Sequence, residues 1–153
     1  PYILKEFRNR WFVFGTKITD LRIYNLALDR IISVEPCEAP YYENQEFDSE
    51  HFFDDVIGVS KKLHDIPRCV RFWANAEQSK YIKTKPLHPS QKLENENQED
   101  GSCIFQIEVC INFEMYSVFM SYGPGVKIIY PHFAVSYMKE RLKEAAALYD
   151  TKE

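Results

Sequence analysis

The chain has 153 residues, 45% of them hydrophobic and 15% aromatic, enough for one ordinary domain, or one domain plus a fragment of another, and too apolar for a disordered segment. Its formal net charge of −4 argues against wholesale nucleic-acid binding. The longest apolar runs fall far short of the ~20 residues that cross a bilayer, so no membrane partner is expected.

The N-terminus, Pro1-Tyr2-Ile3-Leu4-Lys5, lacks a methionine and the charged-then-apolar layout of a signal peptide, which points to a processed or cut chain. Residues 2–35 read as β. Tyr2-Ile3-Leu4 and Trp11-Phe12-Val13-Phe14-Gly15 are rich in aromatic and branched residues, and Arg8-Asn9 makes a turn between them. Leu21 to Leu28 gives another strand, and Ile31-Ile32-Ser33-Val34 a last short one. A closed small barrel needs more strands than this, so two strands' worth of sequence is expected upstream.

Residues 36–55 read as an acidic linker, with Pro36, Pro40 and Asn44-Gln45 and no period. The linker is expected to end in a short helix, bearing Phe47, Phe52 and Phe53, packed on the next domain. Charge is uneven across this boundary. Residues 1–35 hold six basic residues (Lys5, Arg8, Arg10, Lys17, Arg22, Arg30) against four acidic ones, and residues 36–55 hold seven acidic residues and no basic one.

From residue 68 the pattern alternates. Cys69–Ala74 is a strand. Asn75 caps a helix that runs to about Thr84, with Gln78 completing a variant capping box, and Pro86 stops it. Residues 88–97 give a weak polar strand and Glu99-Asp100-Gly101 a hairpin turn. Cys103, Phe105, Ile107, Val109 and Ile111 then alternate with polar Gln106 and Glu108, which makes one face buried and one wet. Asn112 caps a second helix to about Ser121. Gly123-Pro124-Gly125 ends it, Val126–Tyr130 is a fourth strand, and Pro131 opens a last helix with Met138, Leu142, Ala145 and Tyr149 on one stripe.

The expected fold class is α+β. A partial SH3/Sm-like β-barrel remnant is followed by a ferredoxin-like βαββαβ sandwich with an extra C-terminal helix. The expected domains are residues 1–35, the linker 36–55, and residues 56–153.

Enzyme chemistry is not expected. His51, His64, His88 and His132 have no metal-ligand spacing, Gly123-Pro124-Gly125 lacks the lysine and hydroxyl of a phosphate loop, and no nucleophile sits in an elbow. No cofactor or metal is implied. His88, in Pro86-Leu87-His88-Pro89-Ser90-Gln91, reads as structural or surface. Cys37, Cys69, Cys103 and Cys110 have no Cys-x-x-Cys pair and read as reduced residues of a cytoplasmic protein.

The stretch from Lys5 to Val13, answered by Leu26 to Ile31, interleaves cations with aromatics. Arginines grip phosphates bidentately and aromatic rings stack on bases. Arg8, Arg10, Trp11, Arg22 and Arg30 are therefore candidate ligand-binding residues for an anion. The alternative is an arginine-laced barrel surface with Trp11 and Phe14 in its core.

These residues carry a resemblance. Pro1-Tyr2-x-Leu4-Lys5-Glu6-Phe7-x-Asn9-Arg10-Trp11-Phe12-Val13, then Leu26-Ala27-Leu28-Asp29-Arg30-Ile31, resembles the second half of a WYL domain, named for a Trp-Tyr-Leu triplet that is Trp11-Phe12-Val13 here. Tyr81-Ile82, then Pro86-Leu87-His88-x-Ser90-Gln91, the long strand, Gly123, Val126, Pro131 and the final helix resemble the C-terminal extension of such proteins, called WCX. The resemblance implies the C-terminal ligand-sensing and dimerisation region of a bacterial transcriptional regulator. Such regulators reach duplex DNA through an N-terminal winged helix-turn-helix, which this chain does not contain. It also implies a homodimer and an anionic effector such as single-stranded nucleic acid or a nucleotide. By position it carries over Arg10 and Arg30, and more loosely Arg8 and Arg22. Phe12 departs from the pattern by losing the tyrosine hydroxyl. A protein-interaction or dimerisation module with no ligand of its own is the competing expectation.

Overall fold

A computed structural model describes residues 1–17, 19–43 and 47–150. The chain is α+β, and it divides into two compact units, residues 1–54 with 58–65, and residues 55–57 with 66–150. The expected Asn44-Gln45 part of the linker lies outside the described residues.

The first unit is a three-stranded antiparallel meander: β1 (Ile3–Phe7), β2 (Arg10–Lys17) and β3 (Asp20–Ala27), in that order. Arg8 and Asn9 take φ of 51° and 62°, the left-handed pair that a two-residue hairpin turn demands, and Phe7 pairs with Arg10 across it. Asn9 suits that conformation, and its N–H donates to Glu6 Oε1 at 2.6 Å. Strand alternation points Phe12 and Phe14 to one face with Ile3 and Phe7. Phe14 is buried there, while Trp11 points the other way and is 52% exposed, so it is not a core residue.

Two expectations fail in this unit. Ile31–Val34 forms no strand. A single 3-10 turn at Leu28–Arg30 ends β3, and the branched residues that follow run in open extended chain with Ile32 wholly exposed. Branched side chains favour strands only where a neighbour pairs and packs with them. The aromatic cluster at the end of the linker forms no helix among the described residues, and it packs back onto the first sheet. Phe53 meets Phe14 edge-on at 4.9 Å between ring centroids, Phe52 meets it at 6.2 Å, and Phe47 stacks on Tyr2 at 5.4 Å. Val59 joins this core, and its carbonyl accepts from Asn25 Nδ2 at 3.1 Å. Aromatic residues without a period bury themselves on whichever apolar face is open, and the meander has one.

The second unit is a four-stranded antiparallel sheet with three helices: β4 (Arg68–Ala74), α1 (Ala76–Thr84), β5 (Lys92–Glu96), β6 (Cys103–Val109), α2 (Phe113–Ser121), β7 (Val126–Tyr130) and α3 (His132–Ala147). The spatial order β7-β4-β6-β5 is that of a ferredoxin-like split βαβ sandwich. Val70, Phe72 and Ala74 of β4 and Cys103, Phe105, Ile107 and Val109 of β6 turn to the helical side and are buried. Ile82, Met115, Phe119, Ala134 and Met138 come down on them from α1, α2 and α3. The last helix buries only its first half. Leu142 is half exposed and Tyr149 is at the surface, so the predicted stripe continues past the sheet it was meant to cover.

Both predicted caps form. Asn75 Oδ1 accepts from Gln78 N at 2.9 Å, and Asn112 Oδ1 from Met115 N at 2.7 Å. The reciprocal half of a capping box is missing at Asn75, whose own N–H goes to the Gly125 carbonyl. Gln78 instead lies across Gly125, where a Cβ would come within 2.7 Å of Gln78 Cγ. Asn112 is doubly used, since its Nδ2 also donates to Ile57 O at 2.9 Å and ties the Asp55–Ile57 segment to this unit. Asn112→Ala is expected to lower stability by about 1–2 kcal/mol, the cost of a lost helix cap with a second bond attached. Urea unfolding would measure it, and Asn112→Asp should keep the cap while losing only the bond to Ile57.

The loop from Pro86 to Gln91 explains itself as a clamp. Ser90 Oγ accepts from Glu108 N at 2.8 Å and donates to Glu108 O at 3.2 Å, so a side chain supplies the next rung beyond the Lys92–Gln106 pair of β5 and β6. His88 is buried. Its Nδ1 accepts from Ser90 N at 3.2 Å and lies 2.7 Å from Ser90 Oγ. Gln91 Oε1 accepts from Leu87 N and its Nε2 donates to the Ile82 carbonyl of α1, both at 3.0 Å.

Candidate functional site

The aromatic-basic stretch lies wholly in the first unit, at the hairpin end of β1, β2 and β3. Arg10 opens β2 and shares the face of Phe12. Its Nε sits 3.1 Å from Asp29 Oδ2, with both side chains about half exposed. The β2–β3 pairing of Phe12 with Ala27 carries Asp29 to this position. An exposed pair of this kind contributes only ~0.2–1 kcal/mol, so Asp29 is only weakly held on Arg10.

Arg30 follows Asp29 and lines a depression of about 400 Å³ with Asn25, Leu26, Ala27, Ile31, Ile32 and Ser33. Arg8 sits at the turn, with its guanidinium carbon 5.4 Å from the Phe7 ring centroid. Trp11 stands on the opposite face of β2 from Arg10, across from Glu6. These four residues share one end of the sheet, on two faces.

Arg22 does not join them. It sits near the start of β3, roughly 20 Å from Asp29 along the strand at ~3.3 Å per residue. Its Nε pairs with Asp20 Oδ2 at 3.0 Å, and Tyr24 OH donates to the same oxygen at 2.7 Å. The backbone N–H of Arg22 and the Tyr24 hydroxyl hold the Asp20 carboxyl below its ordinary pKa, and the bond to Asp20 raises that of Tyr24. Arg22 thus belongs to a self-contained cluster at the far end.

The opposite face of the meander carries an apolar row. Leu4, Val13 and Leu26 stand in one row across the three strands, and Leu4 and Leu26 are each more than half exposed. Nothing in the sequence marks this row, because each residue alone resembles an ordinary strand position. Only the register aligns them. Among the described residues, no group of three or more His, Cys, Asp or Glu side chains is arranged to hold a metal ion. No helix among them is long and apolar enough to cross a membrane.

Comparison with known proteins adds the following. The WCX domain family matches residues 67–146. Among solved structures, the chain is similar to the proteasome accessory factor B/C (PafBC) of Arthrobacter aurescens, at 16% sequence identity and a TM-score of 0.47, covering 94% of this chain and 21% of that one. The chain therefore spans about a fifth of that protein's length. No curated protein matches it.

Proposed function

Because the chain belongs to the WCX domain family, we propose that it is the C-terminal sensing region of a transcriptional regulator and that its first unit binds an anionic effector. The observation that carries this reading is the pair Arg10 and Arg30 at one end of the meander. Among the described residues Arg10 pairs with a half-exposed Asp29, and Arg30 edges an open depression. The anion takes the place of the Asp29 carboxylate on Arg10 and reaches Arg30, with Arg8 at the adjoining turn as a third charge. Short single-stranded nucleic acid and nucleotides fit this chemistry, since their phosphates suit guanidinium groups. The region would be regulatory, in a cytoplasmic homodimer, with residues 1–35 forming part of an SH3/Sm-like barrel.

Effector binding regulates only through different affinities for two arrangements of the parent protein. Duplex DNA would be met through a helix-turn-helix elsewhere in that parent. Fluorescence anisotropy with short labelled single strands tests the binding step. We expect affinity that falls as salt rises, and a log–log slope shallower by about 0.7 for each phosphate contact removed by Arg10→Ala and Arg30→Ala. No binding at low salt, or binding that the double substitution leaves unchanged, refutes this assignment.

A second reading is favoured by the row of Leu4, Val13 and Leu26, which makes the first unit a self-association or protein-interaction surface with no ligand of its own. Light scattering separates the two. A dimer that Leu26→Asp dissociates, with no affinity for oligonucleotide, supports the interaction module.

A further inference from the structure

The second unit has a wet sheet face as well as a helical one, and the residues on it come from all four strands. Its three helices place their buried residues against Val70, Phe72, Phe105 and Ile107, on one side of the sheet. Alternation sends Trp73 and Arg71 of β4 to the other side. Across the sheet, Ile104, Trp73 and Lys127 form one row. Lys92, Arg71 and Tyr130 fall in the next.

We propose that this face is a second binding site, one that stacks a base of a single-stranded nucleic acid on Trp73 and holds the adjoining phosphates with Lys127 and Lys92. Three features carry the inference. First, Trp73 is on a central strand and half-buried, so the sheet fixes its ring in place. Second, the Lys127 ammonium rests 5.1 Å from the Trp73 ring centroid. A base that displaces the ammonium leaves it free to pair with its own phosphate. Third, the cations bracket the ring. Lys127 is on the edge strand to one side and Lys92 on the edge strand to the other. Arg71 is committed to Glu94, with Nε 2.7 Å from Oε2, so this carboxylate does not oppose a phosphate as a bare charge. Tyr130, 44% exposed beside Arg71, offers a second ring to a neighbouring base.

Four-stranded antiparallel sheets that stack bases on aromatic side chains of their central strands are a general solution to reading single strands. Stacking is tolerant of sequence because every base has a π-face. The occupant is therefore expected to be single-stranded and weakly sequence-selective. Whether ribose or deoxyribose is preferred is read by comparing oligo(U) with oligo(dT).

The chain holds two tryptophans, Trp11 and Trp73, one in each unit. Trp11→Phe leaves Trp73 as the reporter, and Trp73→Phe leaves Trp11. Titrating the 153-residue Trp11→Phe protein at low salt with oligo(dT) and oligo(U) should quench its emission saturably. Lys92→Ala with Lys127→Ala should weaken that binding roughly tenfold or more, and rising salt should weaken it further. Arg10→Ala with Arg30→Ala should leave the Trp73 signal in place. Trp73→Phe keeps a ring, and an anisotropy titration of it should retain most of the affinity that Trp73→Ala loses. A silent Trp73, or quenching indifferent to Lys92, Lys127 and salt, overturns the proposal. Quenching of Trp11 alone does so too, while upholding the arginine site of the first unit. Concentration-dependent self-association that buries Trp73 without oligonucleotide gives the face to a second copy and equally overturns it.

Discussion

Phe72→Ala is expected to lower the stability of the second unit by about 3–5 kcal/mol, the usual cost of emptying a fully buried aromatic site. Phe72 has no exposed surface. It stacks on Phe105 at 5.4 Å between centroids and meets Phe119 edge-on at 5.1 Å, so its ring joins β4 to both β6 and α2. Small domains hold only ~5–15 kcal/mol in all, so the variant stands near the edge of folding. Urea unfolding followed by Trp73 emission would show a lower midpoint with an unchanged slope. Phe72→Leu, which refills most of the volume, should recover much of the loss. A shift under about 1 kcal/mol for alanine would mean that the core collapses around the gap.

Phe14→Ala should be as severe, but confined to the first unit. Phe14, Phe52 and Val59 are buried apolar residues of that unit's core, Phe14 the most deeply, and Phe14 is the ring that both Phe52 and Phe53 touch. The same loss of about 3–5 kcal/mol falls on a much smaller core. Hydrogen exchange would then show amides of β1, β2 and β3 losing protection while those of β4 and β6 keep theirs. Equal loss in both sheets would overturn the division of the chain into separately stable cores.

These two residues also show what the sequence makes legible. The burial of Phe105 and Ile107 follows from the alternation of β6, and the register with β4 follows from it. Asn75 and Asn112 announce their helices because capping is local: the side chain bonds a backbone group three residues on. The helix and strand bounds of the second unit are therefore close to the predicted ones. The exceptions are the polar strand expected over residues 88–97, which is confined to Lys92–Glu96, and Ile111, which lies beyond the end of β6; the cap at Asn75 is also simpler than expected, and α3 is less buried.

Non-local choices were not legible. Ile31–Val34 has a strand's composition and lacks a partner. Phe52 and Phe53 have no period to say which apolar face they cover, and they cover the first one. The candidate arginines divide for the same reason. The hairpin turn is short-range and brings Arg8 near Arg10, and the β2–β3 register brings Asp29 to Arg10. Arg22 is near them in composition alone, at the other end of β3. Trp73 and Lys127 lie far apart in sequence and meet only because β7 pairs with β4.

The clamp from Pro86 to Gln91 carries a consequence for how this fold tolerates change. Its three polar side chains answer fixed backbone groups: Ser90 answers Glu108, His88 answers Ser90, and Gln91 answers Ile82 and Leu87. The segment is thus a ruler that sets the distance from the end of α1 to the first rung of β5. A residue inserted between His88 and Gln91 would slip β5 by one position, turning Lys92 from the wet face to the helical side. Length should therefore be far less negotiable here than in the open run of residues 31–40, where the chain makes no ladder and added residues shift no strand register.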